Sequence, residues 1–413
     1  MRLTGGRMQQ TGRRLIAILV ALVLCGAFRS EAAQPSEETI ARGKALVVAG
    51  DCAHCHTADP AKPFAGGKRI ATPFGGVYAP NLTPDPETGI GKWSDADFLQ
   101  ALRSGIAPNG SRYYPAFPYP YFSRLIRDDI LAIRDYLGTL APVRKETPPP
   151  ELMFPFNFRV VMRVWNRLYF EPGIIMPDQS KGTEWNRGRY LVEALGHCGD
   201  CHTPKNWLGA EKPGQAFGGG RVDGMFAPRL DAAARSGLKS WSAEDIAEYL
   251  QSGRNARSHA GRLMSDVVLN STSQMSDGDV RAMAVYLKSL PAGAPEPVVA
   301  APAPAQMSGG EKVYRSACIA CHEADGSSAP RIYPPLPANA NLQSADPLST
   351  IRIILDGAEN ITTPRAPNKG AMPAYAAKLS DQEIADVATY IRNSWGNAAP
   401  AVTAEEVAKA RRR

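Results

Sequence analysis

The sequence has little that would support substrate chemistry of its own. It contains no glycine-rich nucleotide-binding loop and no pair of acidic residues placed for acid–base catalysis. Its apolar run from Leu15 to Phe28 is shorter than the about 20 residues that span a bilayer. It shows no nucleic-acid-binding signature, so we expect no nucleic-acid partner. What remains is a globular protein with 44% hydrophobic and 21% charged residues.

Residues 1–32 are typical of an export signal. Arginines precede the apolar run, and Ser30-Glu31-Ala32 is a small-x-small cleavage site. We therefore expect an exported protein with a cleaved signal peptide, and an uncleaved anchor is the alternative. The signal carries a net charge of +4, so its removal lowers the formal charge from +7 to +3.

Cysteine is scarce and almost confined to one motif. Six of the seven cysteines lie in three copies of Cys-x-x-Cys-His, and Cys25 lies in the predicted signal. This motif attaches c-type haem, because one helical turn places two thiols against the two vinyl groups of one haem. The histidine that follows then points its imidazole at the iron. A zinc site or a redox dithiol fits less well, since each pair is followed directly by histidine.

The sequence thus predicts three covalent haem c groups. The predicted attachment residues are Cys52, Cys55, Cys198, Cys201, Cys318 and Cys321, and the predicted iron ligands are His56, His202 and His322.

Methionine is the expected ligand on the other face of each haem, where it raises the reduction potential. Met372 lies in a Met-Pro loop 50 residues after His322, and Met264 lies 62 residues after His202. The competitors at the second haem are Met275, Met283 and His259.

The first motif has no such methionine. Phe117 occupies the matching position, 61 residues after His56, and no methionine occurs between Met8 and Met153. The sixth ligand must come from the following connector, from a lysine or from another chain, or the site is open. Among the connector methionines, Met153, Met162 and Met176, we favour Met162, whose helix can fold back over the haem. The alternative is that Met162 belongs to an ordinary core.

The chain repeats itself three times, and this repeat decides the architecture. Each unit begins with a helical pattern that leads into a haem motif. Each ends with an amphipathic helix that carries Tyr136, Tyr286 or Tyr390. By analogy with small cytochrome c domains, the first and last helices cross with this aromatic residue at the crossing. We predict a mostly α-helical protein of three tandem class I cytochrome c domains, at residues 36–145, 184–290 and 307–397.

Three further segments lie outside the repeats. Residues 146–183 form an apolar connector, 291–306 a semi-rigid Pro/Ala linker, and 398–413 a basic tail. The connector includes a predicted helix, Arg159 to Phe170, with arginines on one stripe. We interpret it as a helix wedged between the first two domains, and contact with a membrane surface or a partner is the alternative.

Several motifs resemble those of one family, the triple-haem cytochrome c subunits of bacterial membrane-bound dehydrogenases. That family includes the cytochrome subunits of quinoprotein alcohol dehydrogenases and gluconate-type flavin dehydrogenases, and similar modules serve molybdenum aldehyde dehydrogenases. The motifs are Ile70-Ala-Thr-Pro-Phe74, Asn81-Leu-Thr-Pro-Asp-Pro-Glu-Thr-Gly-Ile-Gly91, Tyr114-Pro-Ala-Phe-Pro-Tyr119, Phe154-Pro-Phe-Asn157 and Ser394-Trp-Gly-Asn397. Phe117 departs from family members with methionine in that loop.

The resemblance implies an electron-transfer function. It implies a dehydrogenase catalytic subunit as electron donor, ubiquinone or the respiratory chain as acceptor, and a location on the periplasmic side of the cytoplasmic membrane. Substrates of such complexes are alcohols, aldehydes or sugar acids. Two alternatives stay open, a free periplasmic shuttle to a terminal oxidase and a haem enzyme that acts on a small ligand at the first haem.

Overall fold

The computed structural model describes residues 34–329 and 331–412, so the predicted signal peptide lies outside the described residues. The chain is mostly α-helical and consists of three similar helical units in series, as the sequence predicts. Each unit starts with a long helix, turns through the haem motif and ends with a second long helix.

The first unit and the connector pack together. The first unit comprises α1 (Glu37–Ala49), α2 (Cys52–His56), β1 (Arg69–Thr72), β2 (Gly75–Tyr78), α3 (Asp95–Ser104), α4 (Tyr119–Phe122) and α5 (Arg127–Gly138). The connector contributes β3 (Glu151–Leu152) and α6 (Val161–Tyr169). β1 pairs with β2 and β2 with β3, both antiparallel, so the start of the connector extends the hairpin of the first unit.

The second unit repeats this plan with one distortion. It comprises α7 (Thr183–Tyr190), α8 (Cys198–His202), β4 (Gly220–Val222), β5 (Met225–Ala227), α9 (Ala243–Ser252), α10 (Leu263–Asn270) and α11 (Asp277–Lys288). A π-helical turn, Leu191–Leu195, continues α7 towards the haem motif and buries four of its five residues. The antiparallel hairpin β4–β5 corresponds to β1–β2.

The third unit is the smallest and ends in an additional helix. It comprises α12 (Pro304–Ala317), α13 (Ile319–His322), α14 (Ala340–Gln343), α15 (Leu348–Asp356), β6 (Ala358–Glu359), β7 (Ala371–Met372), α16 (Asp381–Asn393) and α17 (Ala404–Arg411). Helix α17 lies in the predicted basic tail, yet Val407 and Ala410 on it are buried. Arg411 donates to the carbonyl of Leu379 at 3.0 Å and pairs with Asp381 at 2.7 Å, so this arginine ties the tail to the third unit.

Glycine allows the first and last helices of each unit to cross closely. A Cβ atom at Gly43 or Gly188 would lie 1.9 Å from a backbone oxygen of the opposite helix, and one at Gly310 would lie 2.2 Å from it. No side chain fits at such a distance, because carbon and oxygen would overlap. The predicted tyrosines lie at these crossings, within 3 Å of the same added Cβ positions: Tyr136, Tyr286 and Tyr390.

The first two units share one hydrophobic core. Leu46 and Ile130 of the first unit and Val192 and Val280 of the second, all 3% exposed or less, belong to the same cluster of buried side chains. The third unit has a core of its own, centred on Tyr314, Ile351 and Ile384. The first and second units are therefore one packed body, and the third is joined to it by other contacts.

Candidate haem-binding sites

Each predicted attachment motif forms a short helical turn at the end of the long first helix. α2 and α8 hold the first two motifs, α13 holds the third except for Cys318 directly before it, and all six cysteines are half-buried. None of these six cysteines is in a disulfide, so all six thiols are available for thioether bonds to haem. The residue before α2, Asp51, and the residue before α8, His197, adopt left-handed backbone conformations, with φ of 51° and 38°.

The thiols lack the properties of a reactive dithiol. Burial raises the pKa of Cys52, Cys198 and Cys201 to about 12, and that of Cys55 and Cys318 to about 11. Redox-active and metal-binding cysteines have the opposite shift, because they need the thiolate. Within the described residues, no group of three or more His, Cys, Asp and Glu side chains could hold a metal ion. These observations fit buried thiols better than the thiolates of a redox dithiol.

A backbone carbonyl orients two of the predicted histidine ligands. The Nδ1 atoms of His56 and His202 lie 2.7 Å from the carbonyl oxygens of Pro80 and Pro228. A carbonyl only accepts, so Nδ1 donates and Nε2 keeps its lone pair, as an iron ligand requires. Burial lowers the pKa of His56 to about 4 and also lowers that of His202, which keeps both rings neutral.

The two prolines were not predicted as part of the site. The sequence contained a signal for them, since Ala79-Pro80-Asn81-Leu82 and Ala227-Pro228-Arg229-Leu230 match, with the prolines 24 and 26 residues after the motif histidines. At the third site, burial also lowers the pKa of His322, and the ring centroid of Tyr333 lies 6.4 Å from the imidazole.

Both predicted methionine ligands face the cores of their own units. Met264 lies in the first turn of α10, half-buried against the shared core. Met372 lies in β7, half-buried against the core of the third unit. Of the competitors, Met283 is 3% exposed within α11, so it is a core residue of the helix crossing.

The aromatic side chain of Phe117 lies at the matching place in the first unit. Its ring centroid is 5.4 Å from that of Tyr113 and 5.6 Å from that of Phe122. Met162, on α6, is 5% exposed and packs with Tyr119 in a neighbouring aromatic cluster. The structure thus brings Met162 to the loop that carries Phe117.

Comparison with known proteins decides the family. A cytochrome c family profile matches residues 40–141 and 307–395. The cytochrome c subunit of the quinone-dependent alcohol dehydrogenase of Gluconobacter oxydans is 38% identical over 98% of this chain and 88% of its own length. This chain belongs to the cytochrome c subunits of membrane-bound dehydrogenases. It is accordingly an electron-transfer subunit of the haem c cytochrome family, with three attachment motifs.

Two other relatives show the breadth of this family. The gluconate 2-dehydrogenase cytochrome c subunit of Pantoea cypripedii is 38% identical over 92% of this chain and 91% of its own length. One subunit of the nicotinate dehydrogenase of Pseudomonas putida is 40% identical over 89% of this chain, but the chain spans only 31% of that longer protein.

The first and second attachment turns of this cytochrome subunit are each covered by a segment of the other unit. Phe122 of the first unit packs edge-on against His197, with ring centroids 5.7 Å apart. In return, the Nδ2 atom of Asn270 in the second unit lies 3.5 Å from the Nδ1 atom of His54. The contact is reciprocal, because each unit covers the motif of the other with the segment that follows its own sixth-ligand loop.

The second and third units meet through polar contacts near the second sixth-ligand loop. The Nδ1 atom of His259 lies 3.0 Å from the Oδ1 atom of Asn360. Arg262 pairs with Asp356 at 2.7 Å, two residues before Met264. These contacts place the loops that carry Met264 and Met372 at one junction. The third unit thus holds the Nδ1 side of His259, while its Nε2 atom is buried without a hydrogen-bond partner, so His259 stays a competitor of Met264.

Proposed function

We propose that this subunit accepts electrons from the catalytic subunit of a periplasmic dehydrogenase and passes them from haem to haem towards membrane ubiquinone. The observation that supports this role most is the reciprocal packing of the first two units, in which Phe122 contacts His197 and Asn270 contacts His54, so that two predicted haem sites border one core. The polar junction between the second and third units brings the third predicted haem site next to the second unit. The donor complex would oxidise an alcohol, an aldehyde or a sugar acid.

We assign the site residues as the motifs predict. Each cysteine pair, Cys52 and Cys55, Cys198 and Cys201, and Cys318 and Cys321, would hold one haem through thioether bonds. His56, His202 and His322 would ligate the iron on one face, and Met264 and Met372 would ligate the second and third haems on the other. The haem supplies one-electron redox chemistry, and the protein supplies the ligands, the low-dielectric surroundings and the spacing.

Purification of the native complex tests the role. The full-length chain, tagged at its C-terminus, would be isolated from detergent-solubilised membranes and assayed for dye-linked oxidation of alcohols, aldehydes and sugar acids. A stoichiometric catalytic subunit with dehydrogenase activity is the expected result and would identify the substrate. An isolated monomer that reduces a terminal oxidase would instead establish the free-shuttle alternative.

We also propose that the connector is the surface that lies on the membrane. Nine of the fourteen exposed large apolar residues in the described part of the chain lie between residues 153 and 176. The most exposed are Phe154 at 78% and Met176 at 70%, with Val164 and Leu168 on α6 at 62% and 63%. None of the described helices combines the length and the apolar character that a membrane crossing needs. An apolar surface of this extent on an exported protein is typical of an interaction site.

The charge of this surface favours an anionic phospholipid bilayer as the partner. Residues 152–170 contain three arginines and no acidic residue. Arg159 donates to the carbonyl oxygen of Arg112 at 2.6 Å, whereas Arg163 and Arg167 are exposed on α6. Exposed Trp207 extends the surface, because its neighbour Leu208 accepts a hydrogen bond from Trp165 at 3.0 Å. Apolar and aromatic residues beside arginine are typical of helices that lie in the membrane interface.

A further inference from the structure

Phe117 lies in a loop that shares backbone hydrogen bonds with the loop carrying Met264, although the loop of the first unit is one residue longer. Both loops start at the glycine that ends the middle helix, with φ of 63° at Gly105 and 77° at Gly253. The amide of Tyr113 donates to the carbonyl of Gly105 at 2.8 Å, and the amide of Ala260 donates to that of Gly253 at 2.7 Å. These two hydrogen bonds fix the register of the loops.

The same correspondence holds at the ligand position, where Phe117 and Met264 make equivalent backbone hydrogen bonds. The amide of Phe117 donates to the carbonyl of Tyr114 at 3.0 Å, and the amide of Met264 donates to that of Gly261 at 3.1 Å. Phe117 is four residues after the first hydrogen-bonded residue of its loop, and so is Met264. The equivalence of Phe117 and Met264 therefore rests on backbone geometry as well as on sequence spacing.

The methionines of the connector do not replace the missing ligand. Met153 and Met176 are 54% and 70% exposed, so they lie at the surface. Met162 is buried, but its cluster is built from Tyr119, Trp165 and Ala210. Phe117 packs both on this cluster and on the core that contains the first haem motif. At the ligand position itself, the loop therefore carries a phenyl ring and not the thioether of Met162.

The lysine and histidine candidates are engaged elsewhere. Two lysines of the first unit are half-buried, and both donate to backbone carbonyls, Lys68 to that of His54 at 2.9 Å and Lys145 to that of Gly66 at 3.0 Å. His54 lies within the attachment turn and faces Asn270 of the second unit. Within the described residues, none of these methionine, lysine and histidine candidates therefore occupies the position of Phe117.

We propose that Phe117 leaves the first haem without a sixth side-chain ligand and opens it to a small uncharged ligand such as carbon monoxide. The surroundings of Phe117 are aromatic rings, which favour a neutral diatomic molecule over an anion because a buried charge without a partner is costly. A haem with one axial histidine is high-spin, in contrast to the histidine–methionine sites of the other two units. The proposal rests on the haem assignments above but does not depend on the electron partners.

Carbon monoxide titration of the dithionite-reduced protein with its three haems tests the proposal. The haem content is first confirmed by the pyridine haemochrome assay. We expect one carbon monoxide per three haems and a high-spin ferric signal in the electron paramagnetic resonance spectrum. Phe117→Met should abolish both, since it restores the ligand. Met264→Leu is the matched control, because it should raise the stoichiometry from one to two.

The variant Met162→Leu separates the proposal from the rival hypothesis that Met162 is the sixth ligand of the first haem. If Met162 is an ordinary packing residue, this variant binds the same single carbon monoxide as the wild type. A wild-type protein that binds none overturns the proposal, and a gain of binding in Met162→Leu would then identify Met162 as the ligand. Binding that persists in Phe117→Met, with three haems present, would also overturn it. None of these outcomes affects the dehydrogenase pull-down, so the two proposals fail independently.

Discussion

Replacing the two most exposed apolar residues of α6, Val164 and Leu168, should detach the protein from lipid. Complete burial of a valine or leucine side chain is worth about 1.5–3 kcal/mol. Val164 and Leu168 are 62% and 63% exposed, so most of this burial is still available to a membrane. Val164→Ser with Leu168→Ser should therefore cost about 3 kcal/mol of membrane affinity, since about two thirds of each side chain's burial is lost. That loss corresponds to an about hundredfold fall in the partition coefficient.

The assay is co-sedimentation of the purified protein with vesicles that contain anionic and zwitterionic phospholipids. The haem absorbance of the pellet and supernatant gives the bound fraction without a label. Val298→Ser is the matched control, because Val298 is fully exposed in the linker and lies outside the proposed surface. Because the exposed side chains of Arg163 and Arg167 would be attracted to anionic lipid, we expect weaker binding in high salt or on purely zwitterionic vesicles.

Two results would refute this reasoning. Equal binding of the wild type and the double variant would show that α6 does not enter the interface. No binding of the wild type to any vesicle, with loss of the catalytic subunit from the double variant, would show that the dehydrogenase covers this surface instead.

Three further predictions concern packing, pH and ligation. Gly188→Ala should destabilise the protein by about 1–3 kcal/mol, because the added methyl group would overlap the opposite helix. Thermal unfolding measures this loss. The control variant Gly278→Ala should not be destabilised, because no atom lies within 4 Å of a Cβ added at Gly278. Burial raises the pKa of Glu211, the partner of Tyr121 across the first two units, to about 7. The free energy of unfolding should then decrease as pH rises from about 4.5 to 7, and Glu211→Gln should flatten this dependence in urea titrations, whereas an unchanged slope would contradict the assignment. Met372→Leu should lower the potential of one haem in a spectroelectrochemical titration and leave the other two unchanged, and three unchanged potentials would exclude Met372 as a ligand.

Local sequence patterns predicted the helices that carry the motifs, because the signals are short-range. Three Cys-x-x-Cys-His turns and three tyrosines at regular distances were enough to predict the repeat and the helix crossings. The glycines that permit the crossings, Gly43, Gly188 and Gly310, lie within the helical patterns that lead into the motifs. Their steric role could not be assigned from sequence, because it depends on which backbone atom of the opposite helix comes near.

Contacts between distant segments were beyond prediction. The carbonyls of Pro80 and Pro228 carry no side-chain signature, so their hydrogen bonds to His56 and His202 required the fold. The joint core of the first two units was also not expected, since alternating apolar residues do not specify the partner against which they pack. Similarly, the sequence marked 398–413 only as a basic tail, whereas Arg411 in it is engaged by the third unit.

The joint core also determines where the chain can be divided. A cut near residue 146 would expose Leu191, Val192 and Leu195, which are 1% exposed or less and lie against the first unit. A cut within the linker would mainly break polar contacts, because the third unit keeps its own core. The polypeptide can thus be divided into independently packed parts only at the linker, residues 291–306. Loss, exchange or fusion of a haem unit, by recombination or by design, is compatible with folding only after the second unit, so the first two are inherited as a pair.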